Sequence, residues 1–156
     1  MALEGQVDFC LVEGPVANPR LAVTEIGGDC LSIYGGFDHP LADLAHVSVE
    51  DLRGAKWVLR EPGSGTRSEL EAALQAQGLE TADLRILLEL PSNEAVLGAV
   101  SRGGLLTAVS DLAAGPHLAT GRLARIGRPL TARRFSLVSH VDRPVSQASR
   151  ALIAGL

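Results

Sequence analysis

The spacing of apolar residues changes several times along the chain, and each change marks an element. Val7 to Val12 is a short apolar run, broken by Asp8 and ended by Glu13-Gly14-Pro15, which predicts a buried strand. Leu21–Glu25 and Cys30–Tyr34 alternate in character, predicting two strands joined by Gly27-Gly28. Val49–Leu52 predicts a short helix, and Lys56–Arg60 the next strand. From Thr66 the period lengthens: Leu70, Ala73, Leu74 and Gln77 recur at three and four, as on one face of a helix that stops at Gly78. Ile86–Leu90 predicts a strand. Ser92 then caps a helix carrying Ala95, Val96, Ala99 and Val100 and ending at Gly103-Gly104. Strand Leu105–Val109, a turn or short helix at 110–114, strands Gly121–Ile126 and Phe135–His140, and a helix from Val145 complete the chain.

Strands that alternate with helices of about a dozen residues indicate βαβ units and a mainly parallel sheet. The stretch from His46 to Ala114 forms such a unit by itself. The flanks belong to another sheet. The expected division is therefore a first subdomain of residues 1–44 and 116–156 and a second of residues 45–115, with crossovers near 39–47 and 115–121.

Composition narrows the function. Hydrophobic residues make up 46% of the 156 and aromatic ones 3%, so the core is built from Leu, Val, Ile and Ala. A formal net charge of −4 argues against this segment gripping nucleic acid by itself. Arg122, Arg125, Arg128, Arg133 and Arg134 lie close in sequence but read as a solvated face. Cys10 and Cys30 sit in apolar runs and form no disulfide framework, which suggests a reducing, cytoplasmic setting. No signal-peptide pattern and no membrane-length apolar run is present. His39, His46, His117 and His140 are not spaced for metal binding, and no Gly-x-Ser-x-Gly elbow occurs; neither a metal, a cofactor nor catalysis is expected.

The chemistry lies in the loop Glu61-Pro62-Gly63-Ser64-Gly65-Thr66-Arg67, between a strand and a helix. A helix N-terminus presents unpaired backbone N–H groups and a partial positive charge, and anions dock there. Gly65 permits close approach, Ser64 and Thr66 supply hydroxyls, and Arg67 is suited to a bidentate pair with an anion. The same residues also serve as a helix cap. The loop has neither Walker nor dinucleotide spacing. Ser92-Asn93 opens the following helix at the same sheet edge, where ligands of open α/β sheets bind. Val12-Glu13-Gly14 is a further strand end, in the other subdomain.

In order and spacing these segments resemble the C-terminal effector-binding domain of LysR-type transcriptional regulators. The residues that carry the likeness are Gly5 to Gly14, His39-Pro40-Leu41-Ala42, Val49-Glu50-Asp51-Leu52 running to Trp57-Val58-Leu59-Arg60-Glu61, Gly63 to Arg67, Ser92 to Val96 and Gly121-Arg122-Leu123. The resemblance implies an α/β fold like the type II periplasmic binding proteins, with two Rossmann-like subdomains, mixed sheets and an effector cleft between them. It also implies a small-molecule effector, often an anion, and dimers or tetramers on DNA. Carried over by position, the cleft candidates are Val12, Glu13, Gly14, Ser64, Gly65, Thr66, Arg67, Ser92 and Asn93.

The family's winged helix-turn-helix and the β-α-β-α segment that opens its effector domain are not in this stretch. The first subdomain is therefore expected to be incomplete, effector binding by this stretch alone weak, and the open strand edge prone to pairing in a homodimer or larger assembly. A transporter's solute-binding protein is the alternative on the same architecture, and an enzyme on a related scaffold a third reading. An export signal would mark the former and a convergent acid/base pair the latter.

Overall fold

The computed structural model describes residues 2–13 and 16–155. They form two compact units, residues 1–29 with 133–156, and residues 30–132. The strands are β1 (Phe9–Glu13), β2 (Leu21–Gly36), β3 (Lys56–Arg60), β4 (Arg85–Leu90), β5 (Leu106–Ser110) and β6 (Leu123–His140). The helices are α1 (Val49–Gly54), α2 (Gly65–Gln75), α3 (Asn93–Val100), α4 (Asp111–Ala119) and α5 (Gln147–Ile153). Hydrogen-bonded neighbours run in the order β1-β6-β2-β5-β3-β4. β1 pairs antiparallel with β6, and β2 antiparallel with β5, while β3 lies parallel to both β4 and β5.

In the second unit both faces of the sheet are buried, and the side-chain alternation of the strands sorts residues between them. Leu31 and Ile33 of β2, with Trp57 and Leu59 of β3, pack under α1 and α2 against Leu52, Leu70 and Leu74. Tyr34, Val58 and Val109 face the other way, against Val96, Leu97 and Val100 of α3 and Ala114 of α4. Trp57 is fully buried, and its indole N–H donates to the carbonyl of Leu52 at 2.9 Å. That bond satisfies the polar end of a core aromatic.

The two units divide after Asp29 and before Arg133, not at the expected positions near 44 and 116. The cause lies in β2 and β6, which are 16 and 18 residues long and were each expected to be two strands. Gly27-Gly28 resembles a turn but lies inside β2. A Cβ on Gly28 would stand 2.7 Å from the carbonyl oxygen of Arg133, so glycine here permits two backbones to approach. Beside it, the Arg133 guanidinium bonds the Asp29 carboxylate at 2.7 Å, with both side chains almost fully buried. In β6, Gly127 (φ +68) and Pro129 disturb the strand without ending it. The presumed crossover at 115–121 is largely helix: α4, capped by Ser110, continues through Pro116 to Ala119.

In the first unit, β1 is the terminal strand of the order rather than a buried central one, and Leu11 is 56% exposed. The helix expected from Val145 is observed as Gln147–Ile153. The Asp8 carboxylate accepts from the Ser146 backbone N–H and the Ser149 hydroxyl at its N-terminus. These bonds hold the Asp8 carboxyl below its ordinary pKa.

Gly28→Ala is expected to destabilise the chain by about 1–3 kcal/mol, because the obstructing atom is backbone and cannot rotate away. Gly54→Ala, where a Cβ meets nothing within 4 Å, is the control and is expected to stay within about 0.5 kcal/mol of the parent. Urea unfolding midpoints decide the matter, and equal midpoints for the two variants would contradict it.

Candidate functional site

Three parallel strands deliver their carboxyl ends to one edge of the second unit. Arg60 of β3 pairs with Leu90 of β4, and the register Trp57↔Leu106 brings the end of β5 alongside. Leu31 of antiparallel β2 lies opposite Ser110 at that edge. Helices α2, α3 and α4 each begin there, so three positive helix ends face the same side.

Two of the three are closed. At α3, the Ser92 hydroxyl accepts from the Ala95 N–H at 3.1 Å, and Glu94 occupies the first turn. At α4, the Ser110 hydroxyl accepts from the Ala113 N–H at 3.2 Å, and Asp111 occupies the first turn. Asp111 is held in turn by the Tyr34 hydroxyl and by Arg125, each at 2.6 Å. Burial first, and the Asp111 bond second, push the Tyr34 phenol up to about 12, so it remains a donor.

Helix α2 differs. Its cap residue Ser64 makes no side-chain cap bond, and its first turn holds no acid. Ser64 is buried, Thr66 half-buried and Gly65 exposed, with nothing within 4 Å of where a Gly65 Cβ would lie. Gly63, with φ +91, turns the chain into the helix, a backbone angle that only glycine adopts readily.

Arg67, expected to meet the ligand, is held by partners within the protein. Arg67 is 7% exposed, and its guanidinium bonds Glu71 at 2.6 Å, Glu89 at 3.0 Å and the carbonyl of Arg60 at 3.1 Å. It fastens α2 to the ends of β3 and β4. A hydrophilic residue at the third helical position reads as a surface contact in sequence, whereas its three partners come from separate elements.

Arg60, which heads the candidate junction in the sequence without a ligand role of its own, organises the edge. Its guanidinium forms a bidentate pair with Glu61, at 2.8 and 2.9 Å, and donates to the side-chain oxygen of Asn93 at 2.8 Å. The Arg60 bond holds the Glu61 carboxyl below its ordinary pKa. Asn93 therefore has its carbonyl engaged, and Ser92 its hydroxyl, before any ligand arrives. Asp111 and Ser110 were also missed. The Ser-Asp pair after an apolar strand is a capping signal that sequence could have supplied.

In the first unit, Val12 lies half-buried on β1, opposite Ser136. Glu13 ends that strand, and Gly14 lies outside the described residues. Among the described residues no group of His, Cys, Asp and Glu is arranged to hold a metal ion.

A strand-end site of backbone N–H groups and hydroxyls belongs to a ligand-binding α/β domain. The chain belongs to the LysR substrate binding domain family, whose profile matches residues 1–156. The transcriptional regulator CbbR of Cereibacter sphaeroides is 32% identical over 145 residues, covering 92% of this chain and 46% of the relative. An uncharacterised regulator of Methanocaldococcus jannaschii, MJ0300, is 36% identical over 111 residues, covering 71% and 37%. The chain thus spans at most about half the length of these relatives. Among solved structures, the CcmR regulatory domain of Synechocystis in complex with 2-PG superposes with a TM-score of 0.80 at 22% identity, covering 99% of this chain and 74% of that one. The effector-binding domain of QuiR in complex with shikimate gives 0.71 at 17% identity, covering 98% and 71%. The fold is therefore that of LysR regulatory domains, and the relatives are regulators rather than enzymes.

If Arg67 is a structural cation, Arg67→Leu costs about 1–3 kcal/mol of stability, since Glu89 and Glu71 lose their partner while remaining partly solvated. Arg67→Lys restores little of it, because an ammonium cannot span three acceptors held in a planar fork. Denaturant unfolding of both variants measures this. Parent-like stability for Arg67→Leu would return Arg67 to the list of ligand contacts.

Proposed function

We propose that the chain is the sensing part of a LysR-type regulator in which a small anion docks at the N-terminus of α2. The observation that carries this reading is that α2 alone among the helices of the second unit lacks both a side-chain cap and a first-turn acid. The nearby cations do not compete for the role, since Arg60 is paired with Glu61 and Arg67 with Glu71 and Glu89. The anion is bound by the backbone N–H groups of residues 65–67 and the hydroxyls of Ser64 and Thr66. Ser92 and Asn93, at the start of α3, complete the proposed ligand surroundings within the second unit. Ser92 and Asn93 act there chiefly by holding α3 in place.

We further propose that the regulator is a homo-oligomer acting on DNA in the cytoplasm, its conformation governed by the effector. The exposed edge strand β4 supports self-association. It pairs on one side only and leaves Leu87 and Leu88 46% and 47% exposed. No helix among the described residues is long and apolar enough to cross a membrane.

Thr66→Glu tests the anion site, because it moves two observables in opposite directions. An acid in the first turn stabilises the ligand-free protein by about 0.3–1 kcal/mol through the helix dipole. The same carboxylate occupies and repels the anion position. In a thermal-shift screen of sulfate, phosphate and small carboxylates against the full-length regulator, the parent is expected to gain stability with at least one of them. The variant is expected to melt higher without ligand and to gain nothing with it. An undiminished shift in the variant would sink the proposal.

A further inference from the structure

The opposite end of α2 borders a groove that the effector reading leaves unused. It lies wholly within the second unit and has a volume of about 640 Å³, within the size range of small-molecule sites. Ala42 and loop residues 44–47 form one wall, and residues 125–130 of β6 the other. Leu52 of α1 lies at its base, and Gln77, just past α2, at its end. An eleven-residue helix is about 16 Å long, so the groove is separated from the α2 N-terminus by the length of that helix.

The groove exists because of how β6 is built. Gly127 takes a left-handed φ of +68 beside Val47, and Pro129 has no N–H to donate to a neighbouring strand. β1 pairs with β6 only over residues 135–139, leaving residues 125–130 without that neighbour. The floor is the hydrophobic core itself: Ile33, Leu52 and Ile126 are 3%, 5% and 1% exposed, yet all three line the groove. Val47 and Leu130 extend the aliphatic surface, and no aromatic side chain lines it.

No Asp or Glu is among the lining residues. The Arg125 guanidinium is occupied by Asp111 and lies over the Tyr34 ring, so it does not serve the groove. The Ser48 hydroxyl and backbone N–H hold the Asp51 carboxyl below its ordinary pKa, and nearby His46 adds to this. Arg128 is exposed and has no hydrogen bond or ion pair among the described residues. An unpaired guanidinium stands beside a largely polar lining that includes a small aliphatic surface from Val47 and Leu130.

We propose that this groove binds a medium-chain aliphatic carboxylate, its tail on Ile33, Leu52 and Leu130 and its carboxylate on Arg128. The site is distinct from the anion position at Ser64–Thr66 and does not depend on it. Calorimetric titration of the chain with octanoate tests the proposal, with acetate and octan-1-ol as probes lacking the tail and the charge. Octanoate is expected to saturate one site, and both comparators to bind at least about tenfold more weakly. Arg128→Glu is expected to weaken octanoate about tenfold or more. Ala45→Trp, at an exposed lining position, is expected to fill the groove and abolish binding. Thr66→Glu is expected to leave octanoate binding unchanged, which separates this site from the other. Failure to saturate at millimolar octanoate overturns the proposal, as does parent-like affinity in Arg128→Glu, whose exposed position keeps the fold intact.

Discussion

A buried guanidinium without partners is among the most costly groups a small domain can contain, and the second unit is arranged around satisfying one. Arg67 takes one acceptor from its own helix, one from β4 and one from the last residue of β3. Because three elements meet on one rigid planar group, the distance of α2 from the ends of β3 and β4 is fixed within hydrogen-bond tolerance. The hydrophobic face of α2, with Leu70 and Leu74, fixes how deeply the helix sits on the sheet. Packing alone is non-directional and would tolerate sliding of the helix along its axis. The Arg67 bonds resist that sliding, so the position of the α2 N-terminus depends on them.

The same economy explains what kind of site the edge makes. Arg60 is neutralised by Glu61, Arg67 by Glu71 and Glu89, and Arg125 by Asp111. Three guanidiniums there meet four carboxylates, so an anion at the proposed position would be held through oriented N–H dipoles. Such a site recognises a ligand by the direction of its hydrogen bonds more than by its total charge. It also releases it readily, since no salt bridge has to be broken. Reversible occupancy suits a sensor better than retention does.

Legibility in the sequence followed how local each cause was. The α2 and α3 boundaries were readable because their signals lie within a few residues: Gly63-Ser64-Gly65 before one helix, Gly78 after it, and Ser92 as a cap. The buried strand Lys56–Arg60 was readable because a doubly covered strand is a continuous apolar run. Gly28 of β2 misled, because its reason is the Arg133 carbonyl more than a hundred residues away. Arg67 misled for the same kind of reason: Glu89 is 22 residues distant, and nothing near Arg67 signals burial. The role of Arg60 was not legible because a strand-ending arginine beside a glutamate looks like solvated charge, and its bond to Asn93 spans 33 residues.

Helix α2 also sets the terms on which the two ends of the second unit are coupled. Its N-terminus is the proposed anion position, and its C-terminal extension, through Gln77, borders the groove. Gln77 donates to the carbonyl of Ala73, so the last turn is tied to the residue that enters the groove wall. A helix of three turns, wedged between Arg67 at one end and the Leu74–Leu79 contact region at the other, transmits displacement as a rigid body. A ligand acting at either end therefore biases the placement of the same element. Coupling between the two positions requires only that each ligand favour a different placement of α2, and its strength is bounded by the smaller of the two preferences. The bonds of Arg67 oppose any such movement, so the residue that builds the anion position also limits how far the groove can influence it.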